Sequence, residues 1–151
     1  MIEGVKIKNL KVFPDERGRV IEILNTNDEL FTKFARVIMT TVYPNIVKAW
    51  HYHEKTIDNF TALKGMIKLV IYDSREDSPT KGEINEFFIG EHNPILVQIP
   101  THVPHGFKGI GTEEAIVIGI CTELHDPKNP DQINIDPHNN DIPYKWAVKE
   151  R

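Results

Sequence analysis

A succession of short β-branched runs, each closed off by Gly, Pro, Asn or Asp, is what most limits the shapes open to this chain. Val5–Phe13 alternates apolar and polar side chains, the period-two pattern of a half-buried strand. Comparable runs follow at Arg19–Leu24, Ala35–Val42, Ile46–Tyr52, Asn59–Leu63, Met66–Tyr72, Ile84–Ile89, Ile95–Ile99 and Glu114–Cys121. Lys64-Gly65 predicts a hairpin turn, and Gly90–Pro94 and Gly109–Glu113 predict further turns. Only Asp28–Phe34 offers a helix. About nine strands in a chain of this length predict an all-β sandwich or closed barrel, because closure removes exposed edges. Beyond Glu123, Asp126-Pro127, Asn129-Pro130, Asp136-Pro137 and Ile142-Pro143 cannot sustain a ladder. Residues 123–151 are therefore expected as an extended tail over the barrel, anchored by Tyr144 and Trp146.

At 151 residues the chain is expected to form one domain, 1–151, with a core of ordinary size. A net charge of −4 argues against a nucleic-acid partner held by counterion release, though not against a single nucleotide. One cysteine, Cys121, permits no internal disulfide, and the N-terminus is charged from its first residues with no apolar stretch behind it. No segment has the roughly 20 apolar residues of a membrane span. These features point to a cytoplasmic protein with no membrane partner.

Chemistry concentrates in three separated stretches: Lys48–His53, Pro100–Phe107 and Gln132–Pro137. Each sets an imidazole or carboxylate among apolar residues, where an unpartnered polar group is costly. Along a strand His51 and His53 share one face and Trp50 and Tyr52 the other. A base, an orienting acid and a further donor are the parts of a proton-transfer site. His92, His102 and His138 sit beside turn residues and are expected in solvated loops, and Cys121 on an apolar strand is expected in the core.

Five stretches in order resemble the cupin-fold nucleotide-sugar 3,5-epimerases, the family of the dTDP-4-dehydrorhamnose 3,5-epimerases. They are Phe13-x-Asp15-x-Arg17-Gly18-x-x-x-Glu22, Lys48-Ala-Trp-His51-Tyr52, Tyr72–Thr80, Ile99–Phe107, and Asp136-Pro137 with Ile142–Trp146. The resemblance implies a cupin double-stranded β-helix, or jelly roll, in a homodimer that exchanges its N-terminal strands, residues 1–25. The implied substrate is a nucleotide-diphosphate 4-keto-6-deoxy sugar, epimerised at C3, C5 or both, with no cofactor and no metal. His51 would be the base beside the ketone and Asp136 the carboxylate that orients it. Arg17 and Lys48 would hold phosphate, with Glu22, His53 and His105 completing the substrate site. Proton removal beside a ketone needs a base together with a donor for the enolate, which is why these residue types matter.

Some positions depart from that pattern. His125, in His125-Asp126-Pro127, stands where the family has its catalytic tyrosine and would serve as the acid. Lys48 replaces an arginine, keeping charge and losing the bidentate fork. Three other readings follow from the same residues. His51, His53, Asp58 and His105 form a ligand set suited to Mn, Fe, Ni or Zn, as in metal-dependent cupins. His51-x-His53 also resembles the sugar-nucleotide 3,4-ketoisomerases. A barrel that lost its acid would be a non-catalytic sugar-nucleotide binder.

Overall fold

The computed structural model describes residues 1–148, so 149–151 of the expected tail lie outside the described residues. Twelve strands and no helix are found among the described residues. They are β1 (Lys6–Asn9), β2 (Val12–Asp15), β3 (Gly18–Ile21), β4 (Arg36–Val42), β5 (Val47–His53) and β6 (Asp58–Lys64). The chain continues with β7 (Met66–Tyr72), β8 (Ile84–Gly90), β9 (Ile95–Ile99), β10 (His105–Ile110), β11 (Ala115–Cys121) and β12 (Gln132–Asn134). Two five-stranded sheets, ordered β1-β9-β6-β11-β4 and β12-β5-β10-β7-β8, make the jelly roll, and β2–β3 forms a separate hairpin.

From β4 to β7 and again from β8 to β12 successive strands alternate between the two sheets. Lys64-Gly65 is therefore a bend between layers rather than a hairpin, since β6 and β7 do not pair. Gly65 takes φ of 66°, and a Cβ there would press on Ala115 at 3.0 Å, so both conformation and space call for glycine. The expected helix at Asp28–Phe34 is a pair of turns, because the Asp28 carboxylate is taken by the Asn25 amide and the Lys8 ammonium. The long run at Val5–Phe13 breaks where Leu10 turns inward onto Leu30 and Leu96.

The core fills the space between the sheets. Ile67, Leu69 and Ile71 of β7 are fully buried and pack in one cluster with Val97, Val103, Phe107 and Val117. Each such side chain contributes about 1.5–3 kcal/mol over leaving it in water. The tail covers the outer face of the second sheet. Trp146 packs on Trp50 at 5.1 Å and takes a hydrogen bond from Lys108 on its carbonyl. Tyr144 donates to Glu86 at 2.5 Å. This roof explains why Lys68 and Lys108 are buried on a face that would otherwise meet solvent. No helix long and apolar enough to cross a membrane is found among the described residues.

One irregularity aims the site. Phe107 pairs with Lys48 and His105 with His51, so β5 carries an extra residue opposite Gly106. A Cβ on Gly106 would lie 2.3 Å from that of Ala49, which is why the position is glycine. The bulge turns Lys48 to the same side as His51, which strict alternation would forbid.

Candidate active site

One end of the jelly roll opens into a cavity of about 460 Å³. Strands β4 and β6 give it Ile38, Thr40 and Phe60; β5 and β10 give it Lys48, His51 and Phe107. The tail closes the remaining side with Asn134, Asp136 and Pro137. It can do so because β12 adds to the edge of β5, with Asn134 opposite His51 and Gln132 opposite His53. On the wall, Lys48 Nζ donates to Thr40 Oγ1 at 3.0 Å.

Behind His51 lies a buried cluster. Its ring stands 4.2 Å from that of His105 and 5.6 Å from that of His53, centre to centre. His53 Nε2 lies 3.1 Å from Asp58 Oδ2, and His105 Nε2 lies 3.6 Å from the same oxygen. The other nitrogen of each ring faces an acceptor: His105 Nδ1 the Val103 carbonyl at 2.9 Å, His53 Nδ1 the Asp131 carboxylate at 3.4 Å. Asp131 is itself fixed by the amides of Glu54, Lys55 and Thr56 and the Thr56 hydroxyl. Cys121 sits beside Asp58 on the neighbouring strand.

Electrostatics sorts these groups. Burial is the largest influence on His51 and pushes its pKa down to about 3, with His105 and His53 acting in the same direction and Asp58 against it. His51 is thus neutral at pH 7, the form that accepts a proton. Burial works to raise the Asp58 pKa, but contact with His105 and His53 outweighs it and holds the carboxyl well below the usual range. Burial, then Asp58, push the Cys121 thiol up to about 12, so it remains a protonated donor to that carboxylate.

A family model described as dTDP-4-dehydrorhamnose 3,5-epimerase matches residues 1–151. The chain belongs to that epimerase family. Its members are sugar-nucleotide epimerases involved in polysaccharide and glycan biosynthesis. The chain is 42% identical over 136 residues to the probable low-salt glycan biosynthesis epimerase Agl13 of Haloferax volcanii, covering 89% of this chain and 87% of that relative. It is 36% identical over 151 residues, the whole of both chains, to the spore coat polysaccharide biosynthesis protein SpsL of Bacillus subtilis. A solved dTDP sugar isomerase from Desulfovibrio desulfuricans G20 superposes with a TM-score of 0.92 at 30% identity, over 99% of this chain and 94% of that one.

The expected site assembles in part. His51, Lys48, His53 and His105 gather at or just behind the cavity. Asp136 lines the cavity, yet its carboxylate is exposed and accepts from the amides of His138 and Asn139 at 2.8 and 2.9 Å. It caps a local turn, and the carboxylate inside the imidazole cluster is Asp58 instead. His125 sits exposed in the loop after β11, outside the cavity lining. Arg17 projects from the β2–β3 hairpin, its side chain 85% exposed and paired with Asp15 at 2.6 Å. Glu22 is exposed and accepts from the Asn25 side chain, also away from the cavity. His92, His102 and His138 are exposed, as their turn neighbours imply. Two contributors escape a sequence reading: Thr40 on an apolar edge strand, and Asp131, whose only signal is a carboxylate beside a proline-rich loop.

Proposed function

We propose that this family member epimerises a nucleotide-diphosphate 4-keto-6-deoxy sugar by removing a proton beside the ketone, at C3, C5 or both. The observation that carries the reading is His51: a neutral imidazole at the floor of a cavity large enough for a sugar ring, with a cation, Lys48, on the wall. His51 takes the carbon-bound proton; Lys48 meets the oxygen anions of the substrate, and Phe60 and Phe107 give an apolar wall for the ring. Asp58 replaces Asp136 as the carboxylate that organises the imidazoles. The reaction is redox neutral and consumes no cofactor. Relatives of the same length in polysaccharide and glycan synthesis support this substrate class.

The working form on this reading is a homodimer. Edge strand β4 leaves Val37 and Met39 half to two-thirds exposed, Tyr43 beyond it is as bare, and the β2–β3 hairpin exposes Phe13 and Val20. A second copy covering these surfaces brings its hairpin, with Arg17, to the rim of the first cavity, where the guanidinium meets diphosphate.

Incubation with dTDP-4-keto-6-deoxyglucose in deuterated water tests the chemistry: mass gain at C3 or C5 with an inverted centre is expected. A 3-keto product would assign a ketoisomerase, and tight binding without mass gain would assign a binder. Sedimentation giving the mass of one chain at micromolar concentration would remove the dimer and Arg17's part in it.

A further inference from the structure

We propose that His51, His53, Asp58 and His105 form a binding site for a divalent transition-metal ion of the zinc class, and that this ion competes with the epimerase substrate for His51. Donor atoms of His51, His53 and Asp58 all lie within 4.8 Å of one another. Donors on an ion with bonds of about 2.1 Å stand roughly 3.0–3.4 Å apart. The Asp58 oxygen is already 3.1 Å from His53 Nε2 and 3.6 Å from His105 Nε2, so these donors stand close to coordination spacing, and His51 would close in from within 4.8 Å.

A second, independent feature points to a cation rather than to a closed network. His105 is 1% exposed, and its Nδ1 faces the Val103 carbonyl, which fixes that nitrogen as the donor. The lone pair then lies on Nε2, which has no hydrogen-bond partner and is turned toward a carboxylate. A lone pair facing an anion is unfavourable, and a cation between them reverses the sign. His53 also turns Nε2 inward, 3.1 Å from Asp58, but its unpartnered nitrogen is Nδ1, which faces Asp131 at 3.4 Å, itself held by three backbone amides. An outward ring nitrogen on a carbonyl or carboxylate is the support that metal-bound imidazoles generally have. Three imidazoles and one carboxylate favour zinc, nickel, cobalt or ferrous ion over magnesium or calcium. Cys121, though beside Asp58, is not among the convergent donors.

Occupation would tie up the lone pair of His51 that abstracts the substrate proton. On the epimerase reading above, the metal-loaded protein is then inactive.

Cobalt titration of the chelator-stripped full chain tests the site. One saturable Co²⁺ per chain is expected, with weak visible bands of a nitrogen–oxygen shell and no intense near-ultraviolet thiolate band. Asp58→Asn and His53→Gln should each weaken binding at least about 10-fold, while His138→Gln at an exposed position leaves it unchanged. Asp58→Asn carries the test should His53→Gln lose its thermal transition. No saturable uptake, uptake indifferent to both variants, a thiolate band, or loss of uptake in His138→Gln would each overturn the site. Zinc should also halt deuterium uptake and a chelator restore it. Stripped protein that exchanges deuterium but takes no metal would sink the metal site and leave the epimerase standing. Stripped protein that is inactive until metal is added would keep the metal site and sink the free-imidazole base.

Discussion

Two buried carboxylates, at opposite ends of the molecule's logic, explain which polar residues build the fold and which serve the cavity. Asp73, fully buried after β7, receives Nε and Nη2 of Arg75 at 2.9 Å each and the hydroxyls of Ser78 and Thr80 at 2.6 Å each. Every donor comes from the next seven residues, and Arg75 goes on to tie down the Glu3 carbonyl. Burial tends to raise the Asp73 pKa, yet those donors hold it well below the ordinary carboxylate range. Asp58 is also buried, but it joins His53 of the preceding strand to His105 of a strand far along the chain, and a nitrogen on His105 and one on His53 remain without a hydrogen-bond partner. A satisfied network closes a loop; an unsatisfied one is held ready for something else.

Substitutions should pull the two networks apart. His51→Asn is expected to lower the rate of deuterium exchange into substrate about 10³-fold, the scale of a lost general base, with a melting temperature near that of the wild type. A variant exchanging within about 10-fold of wild type would remove His51 from the chemistry. Asp73→Ala should do the reverse. Losing the hub of the loop is expected to cost about 2–3 kcal/mol in urea unfolding while the surviving folded protein keeps its turnover.

Acid sharpens the contrast further. The Asp73 pKa is depressed on folding, so its contribution is fully present above the unfolded value of about 3.9 and is lost as pH falls below it. The urea midpoint should therefore drop between pH 5 and pH 3, and Asp73→Ala should drop less steeply. Equal slopes would mean that the loop network does not carry the acid sensitivity. The smallest effect is expected at Asp136. Its carboxylate serves the turn at His138 and Asn139, so Asp136→Asn should change turnover by less than about 3-fold. A loss of about 10²-fold would return to it the orienting role that the motif implied.

Much of the barrel could be read from residue order alone. Met66–Tyr72 and Ile95–Ile99 match their strands end for end, because apolar β-branched runs between turn residues have few other uses. Strand β10 was not legible, since His105-Gly106-Phe107-Lys108-Gly109 has neither alternation nor apolar continuity. Its lysine is buried only because a distant tail lies over it. The pairing of His51 with His53 on one side follows from strand period. The orientation of Asp136 is instructive in the same terms. A motif names a residue type, whereas the direction of a short carboxylate is decided by the amides two and three positions ahead of it. The metal-cupin pattern sets Asp58 beside His53, but Asp131 could not be paired with His53 from sequence, since that meeting needs β5 and the approach to β12 to converge.

The tail that walls the cavity has a consequence for how the protein comes into being. Translation runs from the first strand to the last, so the ribosome releases every barrel strand but β12 before Asn134, Pro137 and the Tyr144–Trp146 anchor emerge. A nascent chain can bury its core while the pocket still lacks one side. Competence to grip a ligand therefore trails folding, arriving only when the final stretch has docked on β5.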